Sequence, residues 1–146
     1  MTINPYAAAE TSAQPQNELE ARALVRTASR LNNIKEHWDE KSSELQEALD
    51  LNRKLWTIFV TDVCDESNPL PIEVKQNIVN LATFIFKQTF AVTAKPSPEA
   101  LDTLININMN IARGLNEQSK RRIEEQQQKA EEERQKHADA PTQNNV

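Results

Sequence analysis

One stretch, from residue 45 to residue 63, constrains the fold more than any other part of this sequence. Apolar side chains recur there at spacings of three and four: Leu45, Ala48, Leu49, Leu55, Trp56, Phe59 and Val63. That spacing is typical of a helix packed against other helices. One polar residue, Asn52, interrupts the seam, and Leu51, Ile58 and Val60 add apolar side chains outside it. The stretch therefore predicts the central helix of a bundle.

The composition fits an all-α protein. The 146 residues include a single glycine, whereas a sheet with many tight turns needs glycine for positive φ angles. Apolar repeats and capping residues predict a small bundle of about four helices. Their expected bounds are Asn17 to about Trp38, Ser42 or Ser43 to about Val63, residues 71–93, and Ser97 to about Leu115.

The expected helix starts rest on capping residues. Asn17 and Ser97 are the expected N-caps of the first and fourth helices. Ser43 followed by Gln46 predicts a capping box for the second. Because no glycine or proline marks the first boundary, one continuous helix with a kink near residue 41 is the alternative.

The two ends of the chain differ from its middle. The predicted divisions are a flexible N-terminal arm (1–16), a helical domain (17–115) and a charged extension (116–146). Gly114 lies either inside the fourth helix or at its end. In the extension, pairs such as Glu125 with Lys129 favour helix, but almost no apolar residue is available for docking. We expect a frayed helix or a disordered tail up to residue 137, and disorder after it.

The sequence lacks the motifs that mark several classes of function. His37 and His137 stand far apart and no Glu-x-x-His pair occurs, so we expect no metal site. The only cysteine, Cys64, adjoins Asp65 and Glu66, a setting that disfavours a nucleophilic thiolate. No phosphate-binding loop or nucleophile motif occurs. We therefore expect neither enzymatic activity nor a cofactor.

Charge and hydropathy limit the partners and the cellular location expected of the protein. A net charge of −5 with both signs interspersed argues against nucleic-acid binding. No apolar run approaches the roughly 20 residues that span a bilayer, and the N-terminus lacks the pattern of a signal peptide. We expect no membrane insertion and a cytoplasmic location.

Candidate partner-binding residues fall on three of the predicted helices. Asn52 and Asn108 are polar residues inside apolar seams, so they either pair with each other, cap a loop backbone or contact a partner. We expect Trp56 to lie in the core, and a role as the anchor for a partner is the second interpretation. Arg53 lies near it, and an arginine beside an aromatic residue is common at interfaces. The third helix carries a second apolar stripe, which makes it central in the bundle or exposes a face for a partner. That stripe consists of Ile72, Val79, Phe86 and Phe90.

Four stretches of the chain carry a family pattern by their order and spacing. They are Glu18-Leu-Glu-Ala-Arg-Ala-Leu, Ala48-Leu-Asp-Leu-Asn-Arg-Lys-Leu-Trp, Asn68-Pro-Leu-Pro and Leu104-Ile-Asn-Ile-Asn-Met-Asn-Ile-Ala-Arg-Gly-Leu. In combination they resemble the FlaF family of bacterial flagellar biosynthesis regulators, from about residue 5 to residue 115. The family often has Asp and Arg where this chain has Asn106 and Met109, so no mechanism is based on a charge pair there.

The resemblance implies a cytoplasmic protein of alphaproteobacterial-type flagellar systems. Proteins of this family are associated with flagellin production, act with a partner regulator, FlbT, and behave like flagellin export chaperones. A bundle with surplus apolar surface on its third helix could cover a terminal helical segment of flagellin by helix-in-groove packing. Flagellin occupancy would then couple flagellin secretion to its synthesis.

Two other functions stay open at this point. One is a post-transcriptional regulator that acts through a FlbT-like partner or on flagellin mRNA without binding flagellin. The sequence pI near 5.1 argues against direct RNA contact. The other is a structural homodimer whose extra apolar face is its own interface, which makes self-association an alternative use of that face.

Overall fold

The computed structural model describes residues 13–139 of the chain, with side chains from residue 17 to residue 138. Four long helices account for most of this range: α1 (Ala13–Glu36), α2 (Leu45–Cys64), α3 (Ile72–Ala94) and α4 (Asp102–Asp139). A single helical turn, Trp38–Lys41, and a 3-10 turn, Ser42–Glu44, join α1 to α2, and a second 3-10 turn, Glu99–Leu101, leads into α4. No strand occurs within residues 13–139. The predicted all-α bundle of about four helices is confirmed.

The start of α1 differs from the prediction. The helix begins at Ala13, so Asn17 is not its N-cap but lies inside the helix with only 4% of its surface exposed. The prediction treated Pro15 as a break before the helix. A proline in the first helical turn, however, gives up no hydrogen bond and does not stop a helix. Most of the predicted N-terminal arm, residues 1–12, lies outside the described residues, as do residues 140–146 of the predicted tail.

The connection between α1 and α2 is a real break. His37 (φ −119°, ψ 45°) and Lys41 (φ −115°, ψ 2°) both leave helical geometry, so the alternative of one continuous kinked helix is wrong. The predicted capping box is also wrong, because no side chain caps this end of α2. The Gln46 amide donates instead to Asp50 in the next turn, at 3.1 Å.

The two loops that flank α3 are built by short polar side chains and prolines. Asp65 accepts hydrogen bonds from the backbone N–H of Ser67 (2.9 Å) and from its hydroxyl (2.8 Å). These bonds, the backbone one first, lower the pKa of the Asp65 carboxyl. After this loop, Pro71 (φ −58°, ψ 148°) directly precedes α3.

Before α4, the second loop carries a side-chain cap. Ser97 Oγ accepts the backbone N–H of Ala100 at 3.2 Å. The capping bond expected of Ser97 is therefore present, although the helix opens with a 3-10 turn before the α-helical part.

Two ion pairs show the relative directions of the helices. Arg30 of α1 contacts Glu47 near the start of α2 at 3.5 Å, so these two helices run antiparallel. Lys35, near the end of α1, meets Asp102 at the start of α4 at 2.5 Å, so α4 is antiparallel to α1 as well. The hydrogen bond to Asp102 raises the pKa of the Lys35 ammonium. The α1–α4 pair is the most extensive contact, and α3 packs mainly on α2.

The fourth helix is longer than the bundle that it belongs to. Its seam stays buried through Leu115 and Ser119, and from Ile123 to residue 138 every side chain is exposed. Packing therefore continues one turn past the predicted domain end at residue 115, and the charged extension is a continuation of the helix up to Asp139.

A glycine inside this long helix supplies a stability test. Gly114 lies within α4, its φ is not positive, and a Cβ built on it would have no neighbour within 4 Å. Gly114→Ala should therefore raise the free energy of unfolding by about 0.5–1 kcal/mol, since alanine loses less backbone entropy in a helix. Urea unfolding followed by circular dichroism measures this change. A destabilised variant would show that the helix is not continuous at Gly114 in solution.

Candidate functional site

The centre of the bundle contains a buried polar cluster. The indole Nε1–H of Trp56 donates to Oδ1 of Asn108 at 2.8 Å. The Asn108 amide donates in turn to Oδ1 of Asn52 at 2.8 Å, with a long contact of 3.5 Å to the carbonyl of Leu24. All three side chains are fully buried. The cluster therefore ties α1, α2 and α4 together.

The tryptophan sets the orientation of both amides. An indole N–H can only donate, so Asn108 must present its oxygen to Trp56 and its NH₂ group to Asn52. Asn52 then presents its own oxygen, and its Nδ2 has no partner among the described residues. Trp56 is held further by an edge-on contact with Phe59, whose ring centroid lies 5.5 Å away at 75°.

This geometry assigns a role to the polar seam residues. Of the alternatives that the sequence allowed, the pairing of Asn52 with Asn108 is confirmed. Neither amide nor Trp56 offers any surface to a partner in this conformation, since each is 0% exposed. Arg53, by contrast, is exposed and forms no ion pair within residues 13–139. The assignment of these four residues, Asn52, Arg53, Trp56 and Asn108, as partner-binding residues stays a prediction.

The cluster generates a mutational prediction. Asn108→Leu removes the acceptor of the Trp56 N–H and the donor to Asn52, leaving two buried polar groups unpaired. We expect the free energy of unfolding to fall by about 2–4 kcal/mol. The matched control is Asn106→Leu, an exposed position in the same helix, which should change it by less than about 0.5 kcal/mol. Urea unfolding of both variants measures the difference, and equal effects would contradict the role of the cluster.

The second candidate site is the apolar stripe along α3. Ile72 and Phe90 are each 72% exposed, one at either end of the helix. Val79 and Phe86 lie between them, half-buried, and Phe86 packs on the core. Spacings of seven, seven and four residues bring the four side chains to one flank of the helix. The stripe is about 27 Å long at 1.5 Å per residue.

The stripe and the core face of α3 are different surfaces. The core face consists of Ile78, Ala82, Ile85, Thr89 and Val92, which are buried. Phe84, 45% exposed, lies on the opposite flank from the stripe. The sequence therefore predicted the stripe, and the structure shows that it is exposed at both ends and is not part of a central helix.

Other exposed apolar side chains were not assigned a role from the sequence. Leu19 is 57% exposed on α1, and Leu51 and Ile58 are 46% and 65% exposed on α2. The only feature of the sequence that marked these residues as exposed is their position outside the apolar seams. Single exposed apolar side chains are common on protein surfaces.

A shallow groove runs between α1 and α4. One recess in it, of about 330 Å³, is lined by Val25, Met109, Ala112 and the charged side chains around them. Farther along, the Oγ of Ser119 and the Nδ2 of Asn17 are buried without a hydrogen-bond partner among the described residues. The groove is open to solvent.

Metal-ligating and membrane-spanning features are not found in residues 13–139. No group of three or more His, Cys, Asp or Glu side chains in this range is placed to hold a metal ion. None of its helices combines the length and apolar character needed to cross a membrane. Cys64 is exposed at the end of α2 as a free thiol.

Comparison with known proteins identifies the family. The family model described as flagellar protein FlaF matches residues 2–115, well over half of the chain. The chain belongs to the FlaF family. No curated protein and no solved structure matches it.

The family pattern meets at the buried cluster. Three of the four stretches that carry the resemblance supply its atoms: Leu24 ends the first, Asn52 and Trp56 lie in the second, and Asn108 lies in the fourth. These FlaF stretches thus build the interior of the bundle. The α3 stripe lies within the matched range, whereas the whole of the charged extension lies outside it.

Proposed function

We propose that this member of the FlaF family binds flagellin through the α3 stripe, holds it for export and so couples flagellin secretion to its synthesis. The observation that carries the proposal is the exposure of Ile72 and Phe90, 72% each, on one flank of a helix whose core face is already satisfied. The flagellar family of the chain supplies the class of partner. In this proposal the protein is a cytoplasmic binding protein and not an enzyme.

The energetics favour a partner on the stripe. Covering a large apolar side chain that is now exposed contributes roughly 1.5–3 kcal/mol when burial is complete. Two such side chains at the ends of the stripe contribute about 3–6 kcal/mol, and the half-buried Val79 and Phe86 between them add to this. The half-buried Val79 and Phe86 join the two exposed ends into one apolar row, and an apolar row at the surface of a folded protein commonly marks a site of interaction.

The shape of the stripe fits a helix as the partner. A straight row about 27 Å long matches five turns of a second helix packed along α3. The terminal helical segments of flagellin, which the FlaF resemblance suggested, are partners of this kind. Because the stripe lies on α3 and the Asn52–Asn108–Trp56 cluster does not, binding would leave the buried cluster intact.

The test compares two identical substitutions on the same helix. Phe90→Ser removes a stripe residue and Phe84→Ser removes an exposed residue from the opposite flank. We expect Phe90→Ser to weaken binding of the host's flagellin by about tenfold or more, and Phe84→Ser by less than about twofold. Co-purification followed by mass determination of the complex gives stoichiometry, and titration gives the affinity. Circular dichroism checks that both variants stay folded.

The outcomes separate the remaining alternatives. Loss of binding to a flagellin without its terminal helical segments would support the helix-in-groove arrangement, and unchanged binding would refute it. No complex at micromolar concentrations would overturn direct flagellin binding and make a FlbT-like regulator the first partner to test. A mass of two copies that Phe90→Ser reduces to one would assign the stripe to a homodimer instead.

A further inference from the structure

The charged extension of α4 has an ordered distribution of charge. Along residues 116–137, every seventh residue forms a row on one side of the helix: Asn116, Ile123, Ala130 and His137. This row holds the only large apolar side chain of residues 116–137, Ile123, which is 36% exposed. We call it the extension seam.

Both borders of the extension seam are basic. Arg122, Lys129 and Lys136 each lie one residue before a seam position. On the other side, the positions four residues after a seam residue are Lys120, Gln127 and Arg134. These are the two border positions that flank the contact line when helices pair. They contain five cations and no acid, in a protein whose net charge is −5.

The acids of the extension lie on the back of the helix. Glu117, Glu124 and Glu131 follow the seam residues by one position, and Glu125 and Glu132 follow them by two. Glu133, three residues after Ala130, is the one acid on the seam side. The two signs of charge are therefore separated around the helix and not mixed along it.

Pairing within the helix does not account for this separation. Pairs such as Glu125 with Lys129 need only a spacing of four residues, and they would stabilise the helix with any arrangement around its axis. None of the five border cations forms an ion pair within the described part of the chain. All of them except the half-buried Arg122 are exposed. The border cations are thus available to another molecule.

We infer that the extension seam is a docking face for an acidic helix, one with Asp or Glu on both borders of its own apolar row. Border charges select the partner in helix pairs, because opposite signs attract and like signs repel across the contact. A second copy of this chain would place cations against cations in either parallel or antiparallel pairing, so self-pairing is disfavoured. The face is about 24 Å long from Lys120 to Lys136.

The weak apolar row sets the character of the interaction. Only Ile123 and Ala130 contribute apolar surface, so the border charges supply much of the affinity and binding is sensitive to salt. The site is separate from the α3 stripe and lies entirely beyond the family match. It is therefore a property of this chain that does not depend on the proposed flagellin binding.

The experiment uses the full chain and two synthetic helical peptides of three heptads. One peptide has Glu at both border positions, and the other has Lys there and is otherwise identical. Fluorescence anisotropy should show binding of the Glu peptide at about 0.1 mM or below at low salt, weakened about tenfold or more at 0.5 M salt, a concentration at which the Debye length is only about 4 Å. The Lys peptide should not bind.

A matched pair of variants locates the site. Arg134→Glu reverses a border charge, and Arg121→Glu reverses an exposed charge on the back of the same helix. We expect Arg134→Glu to weaken binding of the Glu peptide by about fivefold and Arg121→Glu by less than about twofold. Circular dichroism verifies that both variants keep their helix content.

Four positive results would overturn the inference, and so would one negative result. They are equal binding of the two peptides, equal effects of the two variants, binding of single-stranded RNA as tight as that of the Glu peptide, and a two-copy mass that Arg134→Glu reduces to one. The third would assign the cations to a polyanion, and the fourth would assign the face to self-pairing. Absence of binding of the Glu peptide at about 0.1 mM and low salt would also overturn it.

Discussion

The bundle depends on a chain of hydrogen bonds that runs from Trp56 through Asn108 to Asn52 in a fully buried interior. Buried polar groups are costly to leave unpaired, so the arrangement that pairs them is strongly preferred over a slipped one. Each amide comes from a different helix, and the contact with the Leu24 carbonyl brings in a third. Polar complementarity therefore sets the register of α2 against α4, while the apolar seams around it supply most of the stabilisation and hold α1 against both.

The third helix is held in another way. No ion pair joins α3 to another helix within residues 13–139, and its side-chain hydrogen bonds to neighbours are long, such as Gln88 to the Ala100 carbonyl at 3.4 Å. Its place is determined by apolar packing on α2 and by proline-containing loops at both ends. The helix least constrained by polar contacts is thus the one that presents the largest exposed apolar side chains. This division separates the part that maintains the fold from the part proposed to bind.

The fourth helix divides along its length. Up to Ser119 it belongs to the core, and beyond Arg122 its side chains are exposed although the helix continues. A helix with polar side chains on every side cannot be stabilised by burial, so its persistence rests on helix propensity. The separation of charge around the axis is an additional property, and it points to a partner outside the bundle.

The sequence by itself determined the helical class, the four apolar seams and most helix ends, because these follow from periodicity and local capping. The bond from Ser97 to Ala100 is an example. It misplaced the start of α1, since Pro15 serves equally well as a stop or as a first-turn residue. It also did not decide whether Asn52, Trp56 and Asn108 lie in the core or at an interface. Nor did it decide whether the α3 stripe is covered by other helices or exposed. Only the tertiary structure decided those questions, because burial depends on which neighbours cover a face, and two apolar stripes on one helix look alike until the neighbours are in place.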